Sequence, residues 1–380
     1  MKIAIVVPGG VDRSGTDRVI PALLWLIERL AATDEVHVFA LQQELRPDRW
    51  PLLGALVHNA GSRPRRLRAL GAMLAEHRST RFDAVHAFWA AGPGTVAALF
   101  SRLTGVPAIL TLPGGDLCAM PDIGYGARLT RRGRAQVDFA LRGAARIVVP
   151  SRRMRDQASA MGIRTEHVPY GVALDRWAPA APRRRDRTAP VRLIHVANIN
   201  RVKDQPTLLR AARLLADRGI PFELDIVGLD TLDGAVQREC ERSGLAERVR
   251  FHGFLRHGAT RPLMERADLM VVSSRHEGVP IAALEAAVAG VPTVGTAVGQ
   301  IADWAPKAAL AVPVGDAAAL ADAIAALAED DEHRLAIAAA AQCYAVHNDA
   351  DAFAASMRRL YREVQATVAT GSGAGSAASR

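Results

Sequence analysis

Short apolar strands alternate with amphipathic helices along this chain, and the alternation starts afresh after a stretch dense in proline and arginine. These two observations predict an α/β protein of two doubly wound domains, each with a parallel sheet covered by helices on both faces. The length agrees, since 380 residues exceed what one ordinary core organises. With 49% apolar residues, both domains can bury a core, and wholesale disorder is excluded.

The first run opens on the strand 3–7, which leads into PGGVDRSGTDR and an amphipathic helix over about 19–31. The spacing of Gly9, Gly10 and Gly15 does not match the dinucleotide fingerprint with its paired downstream acid, so no nicotinamide cofactor is expected. Gly9 and Gly10 instead permit close approach of backbone to a ligand at the carboxyl end of the strand. Further strands are predicted at 36–41, 84–88, 108–112, 147–150 and 167–169. The segment after Leu112, PGGDLCAMPDIGYGA, has no helical period. Long loops at the carboxyl ends of parallel strands are where such folds place function, and this one includes Gly114, Gly115 and Asp116.

VPYGVALDRWAPAAPRRRDRTAP then reads as a boundary, with an exposed linker over roughly 177–190. The second run has strands predicted at 192–197, 223–227, 249–252, 269–272, 293–295 and 309–312, with helices at 205–217, 235–243, 261–265 and 317–328. The division expected is 1–180 for the first domain and 181–350 for the second. A helix over 351–369 is expected to pack back on the first domain, and the low-complexity end, 370–380, to be disordered.

The net charge of +9 is carried by the first half of the chain. It gathers in Arg63, Arg65, Arg66 and Arg68, in Arg128, Arg131, Arg132 and Arg134, and in Arg152, Arg153 and Arg155. Such clusters suit an anionic membrane face or phosphorylated acceptors. Nucleic acid is not expected as a partner, because aromatics are few and do not interleave with the basic residues. Cys118, Cys240 and Cys343 are scattered, which favours a reducing compartment over a disulfide framework or a metal site. No apolar run reaches membrane-spanning length, and Met1 and Lys2 lead straight into a strand rather than a signal segment. A cytoplasmic protein is the expectation, with the inner face of the membrane as a candidate location.

One helix stands out. In IAALEAAVA, Glu285 is the sole charge, with Ile281, Ala282, Val288 and Ala289 as neighbours on its face. Pro280 is placed as its first residue and Gly290 just past its end. A carboxylate among small apolar groups needs a partner from elsewhere, and a ligand is a candidate.

The second run now carries enough residues to identify a family. RLIHVANINRVKDQPTLLRAA, ELDIVGLD, VRFHGFLRHG, DLMVVSSRHEGVPIAALEAAVAGVPTVGTAVGQIADW and ALAVPVGDAAALADAIAAL, in this order, resemble the donor-binding domain of retaining GT-B glycosyltransferases of family 4. The first run resembles that family more weakly, through its opening strand and loop, FDAVHAFW, and GVPAILTLPGGDL. The resemblance implies two Rossmann-like domains facing across a cleft. It further implies a nucleotide-sugar donor, a UDP- or GDP-sugar, on the second domain. The acceptor is a saccharide, lipid-linked or small molecule approaching from the first.

The family's pair of glutamates seven residues apart falls on Glu277 and Glu285. By that resemblance Glu285 accepts hydrogen bonds from the ribose hydroxyls and Glu277 holds hydroxyls of the transferred sugar. Backbone N–H groups of Gly278, Val279 and Ile281 face the diphosphate, while Pro280 removes one donor that two-glycine members have. Lys203 falls on the family's phosphate-binding lysine, and only Lys2 and Lys307 accompany it among 48 basic residues. Asn198 stands where an arginine is usual, and Arg201 is a candidate for the second positive charge. Many members carry a histidine where this chain has Pro113. His86 matches a different, structural position, so Asp116 is the candidate catalytic polar group there, facing acceptor or donor.

The implied mechanism is transfer with retention at the anomeric carbon and without a metal or other cofactor, Lys203 and the helix start offsetting charge on the leaving diphosphate. Two other readings stay open: nucleotide-sugar epimerisation on the related scaffold, and an inactive nucleotide-sugar-binding protein, which Pro113 brings into view.

Overall fold

The structure, a computed structural model, describes residues 1–374, with side chains through residue 367. The chain forms two compact units. One comprises Met1–Pro150, Met154–Tyr170 and the chain from Ala350 on; the other comprises Ser151–Arg153 and Gly171–Asp349.

The first unit holds β1 (Lys2–Val7), β2 (Glu35–Ala40), β3 (Asp48–Leu52), β4 (Ala55–Asn59), β5 (Ala84–Phe88), β6 (Ala108–Thr111), β7 (Arg146–Val149) and β8 (Glu166–His167). They make one sheet in the order β3-β4-β2-β1-β5-β6-β7-β8, parallel except for β3 against β4. Every residue of β1 is buried, as a central strand covered on both faces must be. Helices α1 (Pro21–Ala31), α2 (Arg65–Ser79), α3 (Thr95–Thr104), α4 (Arg131–Gly143) and α5 (Arg152–Ala160) connect them. Val6, Phe39, Val85 and Leu110 pack with Met73, Phe100 and Val137 into one core. Each such buried side chain contributes roughly 1.5–3 kcal/mol over leaving it exposed.

The β3–β4 hairpin was not expected. Its Arg49 and Pro51 break the strand pattern, and an edge strand is the place where Pro is tolerated. The C-terminal helix, Ala350–Ala374, belongs to this unit. Arg358 donates to Asp34 at 3.2 Å, Gln365 to Asp83 at 2.8 Å, and the Tyr361 hydroxyl lies 2.8 Å from Nδ1 of His86. Helical backbone runs into the stretch expected to be disordered, and 375–380 lie outside the described residues.

The second unit holds β9 (Val191–Val196), β10 (Phe222–Val227), β11 (Val249–Gly253), β12 (Leu269–Val272), β13 (Thr293–Thr296) and β14 (Leu310–Val312), all parallel, in the order β11-β10-β9-β12-β13-β14. Its helices are α6 (Gln205–Asp217), α7 (Ala235–Arg242), α8 (Arg261–Arg266), α9 (Ile281–Val288), α10 (Gly299–Trp304), α11 (Ala317–Glu329) and α12 (Asp331–His347). Leu193, Leu224, Leu269 and Val271 pack against Leu208, Leu215, Leu320 and Ile324.

The linker expected at 177–190 falls inside the second unit, although much of it is exposed as expected. The second unit begins at Gly171, and Trp177 is only 1% exposed. The arginines that gave the stretch its linker character are bound to this unit. Arg183 Nε donates to the Glu265 carbonyl and Arg183 Nη2 to that of Ala267, at the end of α8. Arg185 and Arg187 donate to the Ala328 and Glu329 carbonyls at the end of α11. Helix C-termini leave carbonyls unsatisfied and carry partial negative charge, so a run of guanidinium groups is held there.

Candidate active site

In the second sheet, chain order reverses direction between β9 and β12, the position where open α/β sheets bind ligands at the strands' carboxyl ends. His195 on β9 pins this point. Its Nδ1 lies 2.9 Å from the Val271 carbonyl of β12 and its Nε2 accepts from the Gln205 amide at 3.1 Å. Burial lowers its pKa to about 4, so the imidazole is neutral near physiological pH, as one donor and one acceptor require.

The loops leaving β9 and β12 are stitched together. The Ser273 hydroxyl donates to the Lys203 carbonyl at 2.8 Å, and the Arg275 N–H to the Val202 carbonyl at 2.7 Å. The Thr296 hydroxyl secures the Ser274 carbonyl at 2.5 Å. Asp204, with φ +51, caps α6 and turns the chain directly after Lys203. The result is a direct ion pair: Lys203 Nζ lies 2.5 Å from Glu277 Oε1. The Ser274 hydroxyl donates to the same oxygen at 2.7 Å.

Beyond Glu277 the chain passes through Gly278 and Val279 into α9. Pro280 sits at the N-cap rather than as the first helical residue, and its carbonyl accepts from Ala283 at 3.0 Å. The N–H groups of the first turn, including Ile281, have no intrahelical partner and face forward from the helix start. Gly299 supports this turn. Its φ is +43, and a Cβ there would meet the Gly278 carbonyl oxygen at 2.1 Å, so only glycine fits.

Glu285, the lone charge on α9, is 3% exposed. Its partner is His257, from a 3-10 turn (His257–Thr260) after β11, whose Nε2 lies 2.5 Å from Glu285 Oε1. Trp177 donates its indole N–H to the Glu285 carbonyl at 3.0 Å, and its ring lies beside His257 at 5.3 Å between centroids. Sequence reasoning asked for a partner but named neither residue. The one available signal for His257 was its place in the GFLRHG segment.

Asn198 and Arg201 are exposed at the mouth of the same loop. Asn198 Oδ1 accepts from Leu229 N–H at 3.2 Å, so it joins the loop after β9 to the one after β10.

The remaining predicted residues lie on the first unit. Gly9 and Gly10 follow β1, but the Gly10 and Val11 N–H groups donate to Gln43 Oε1 at 2.7 and 3.0 Å. Gly114 and Gly115 follow β6, with φ of +152 and +76. Asp116 is 1% exposed. Its Oδ1 accepts from Ala90 N–H at 2.7 Å, and its Oδ2 is buried without a hydrogen-bond partner among the described residues. Burial pushes its pKa up to about 7, against the backbone N–H groups of Ala90, Gly114 and Asp116. The bond to Ala90 braces the turn after β5, where Trp89 has φ +70, a strained conformation for a bulky residue. His86 is fully buried between Tyr361 and Thr111, with its pKa lowered to about 3 by burial.

A cluster of His37, His58 and Glu76 also offers grouped ligand atoms. Lys2 Nζ sits 2.8 Å from Glu76 Oε1 and 3.1 Å from Glu35 Oε1. The ammonium thus supplies the positive charge that a cation would bring there.

Two Rossmann-like units, each built on a parallel sheet with helices between its strands, make the GT-B fold of glycosyltransferases. Residues 190–330 match the family described as glycosyl transferases group 1, and residues 19–171 the glycosyl transferase 4-like domain. The chain belongs to the group 1 glycosyl transferases. It is 32% identical to the 2-deoxystreptamine N-acetyl-D-glucosaminyltransferase of Streptomyces fradiae, over 69% of this chain and 67% of that one. Several other curated relatives are matched over only about half their length, between 42% and 57%. Among solved structures, the sucrose-phosphate synthase of Thermosynechococcus elongatus superposes with a TM-score of 0.80 at 19% identity, covering 97% of this chain and all (100%) of that one. Anabaena HepE in complex with UDP-glucose gives 0.72 at 17% identity, covering 97% and 100%.

Proposed function

We propose that this chain transfers a sugar from a UDP- or GDP-sugar to a saccharide, lipid-linked or small-molecule acceptor, with retention of anomeric configuration and without a metal. The reading serves glycolipid, polysaccharide or other glycoconjugate synthesis. The observation that carries it is the constellation of Lys203, Glu277 and Glu285 around the start of α9. The S. fradiae relative, named for N-acetylglucosaminyl transfer, and a fold neighbour in complex with UDP-glucose support it.

In this reading Glu285 receives the ribose hydroxyls. The ammonium of Lys203 and the N–H groups of Gly278, Val279 and Ile281 face the diphosphate and offset the charge that develops as the anomeric C–O bond breaks. Glu277 swings partly off Lys203 to hold sugar hydroxyls. The departing phosphate oxygen takes the acceptor's proton as the new glycosidic bond forms on the same face. Asp116 contributes from the acceptor side as the brace of its loops. The test is incubation with UDP- and GDP-sugars, following nucleotide release and sugar transfer. Lys203→Ala and Glu285→Ala that both leave transfer intact would refute the assignment; binding without turnover would favour an inactive binding protein.

The reading includes peripheral contact with anionic membrane through Arg63, Arg65, Arg66 and Arg68 at the start of α2, where Leu67 is 69% exposed. Among the described residues, no helix is long and apolar enough to cross a membrane. Sedimentation with anionic liposomes at low salt, released as salt rises, is the expected behaviour; no sedimentation at low salt removes this part.

A further inference from the structure

We infer that His257 is a positioning residue for the nucleotide ribose: it holds one oxygen of the Glu285 carboxylate and leaves the other for a ribose hydroxyl. The inference rests on the donor-binding reading above.

The carboxylate of Glu285 sits on a helix face that offers it nothing polar, and it is almost wholly buried. A buried charge persists only when paired and hydrogen-bonded. His257 makes the only side-chain hydrogen bond to it among the described residues, from Nε2 to Oε1 at 2.5 Å. A carboxylate accepts on both oxygens, so Oε2 keeps its acceptor capacity for a ligand.

The imidazole is itself fixed. It lies against the Trp177 indole, with ring centroids 5.3 Å apart, and Trp177 is anchored by donating to the Glu285 carbonyl at 3.0 Å. The Arg261 guanidinium lies over the same Trp177 ring, 6.0 Å from its centroid. The Thr260 hydroxyl closes the turn that carries His257, donating to the His257 carbonyl at 2.7 Å. Trp177 and the 3-10 turn thus both hold Glu285 on α9, the first at its backbone carbonyl and the second at its carboxylate. A side chain held this way cannot rotate to follow a misplaced ligand, and that is the condition for reading a hydroxyl rather than merely tolerating it.

The consequence is selectivity for ribose over deoxyribose. A site built to hydrogen-bond a hydroxyl discriminates against the analogue lacking it, because the buried acceptor is left unpaired. Removing His257 lets the carboxylate turn, and the discrimination falls.

The experiment is calorimetric titration of the full chain with UDP, GDP and their 2′-deoxy forms, for wild type, His257→Ala, His257→Asn and Glu285→Gln, with thermal melts confirming folding. In wild type, the diphosphate that binds is expected to do so roughly tenfold more tightly than its deoxy form, the scale of one hydrogen bond to a charged group. In His257→Ala the ratio is expected to fall to about twofold or less, with His257→Asn recovering part of it through its side-chain N–H. A purely structural role would weaken both ligands equally and leave the ratio unchanged, and that result overturns the inference. If Glu285→Gln loses the selectivity while His257→Ala keeps it, the donor site stands and the role of His257 does not. If neither diphosphate binds wild type, the donor-binding reading falls and takes the inference with it.

Discussion

Lys203 Nζ and Glu277 Oε1 are 2.5 Å apart, although 74 positions separate the two residues in the chain. The pair brings together the loops leaving β9 and β12, on either side of the point where strand order reverses. Lysine is used at only three positions, and this one faces a carboxylate that also takes the Ser274 hydroxyl. In the proposed function, this compact ammonium is the charge that a diphosphate would meet.

Lys203→Ala is therefore expected to lower the turnover rate by about 100-fold or more. Lys203→Arg should recover little of it, since a planar fork does not replace a compact charge in this loop. Steady-state kinetics on purified variants with matched melting curves measure both. Full activity in Lys203→Ala would show that the pair is only structural.

Asp116 predicts a pH dependence of stability. Its pKa is raised from 3.8 to about 7 in the folded protein, mainly by burial. The folded state thus binds this proton more tightly than the unfolded state. The contribution is fully present below about pH 4 and is lost as pH rises through about 7, a change of roughly 4 kcal/mol at most. Wild type should lose more stability between about pH 5 and pH 8 than Asp116→Asn does. Denaturant unfolding across that range tests this, and parallel profiles would contradict it.

Trp177 is the buried anchor of the α9 end. Trp177→Phe keeps most of the ring but loses the N–H donated to the Glu285 carbonyl, and is expected to cost about 1 kcal/mol. Trp177→Ala is expected to cost about 3–5 kcal/mol through the cavity it opens. Chemical denaturation gives both values, and a loss under about 1 kcal/mol for Trp177→Ala would mean that the residue does not anchor the unit.

Gly299→Ala tests the turn that carries Gly278. The new Cβ would meet the Gly278 carbonyl oxygen at 2.1 Å, at a backbone φ of +43. Displacement of Gly278 moves the N–H groups at the start of α9. The affinity for nucleoside diphosphate should fall about tenfold or more. Unchanged affinity in a folded variant would remove those N–H groups from the site.

Much of this arrangement was legible in the sequence, because parallel sheets write themselves as short apolar runs and place their ligand loops after the strands. Lys203 and Glu277 could be named through the resemblance to GT-B family 4, and Glu285 also from the oddity of a charge on an apolar helix. The partner of Glu285 could not. His257 reaches it through the fold of a turn that leaves no periodic signal. The arginines after Trp177 misled for a related reason. Composition says "exposed linker", whereas Arg183, Arg185 and Arg187 donate to helix-end carbonyls that become neighbours only in three dimensions. The β3–β4 hairpin was hidden by Pro51, which an edge strand accepts. Asp116 was named as a polar group of the acceptor side, while its burial and its bond to Ala90 required the folded chain.

The most direct test of the central reading is to follow the full chain by NMR with UDP-glucose, GDP-mannose and a panel of saccharide and lipid-linked acceptors, with and without a chelator. The account predicts that one donor is consumed to nucleoside diphosphate, that its sugar appears on an acceptor with unchanged anomeric configuration, and that the chelator makes no difference. A sugar altered while still attached to its nucleotide, an inverted linkage, or no turnover with any donor would contradict it.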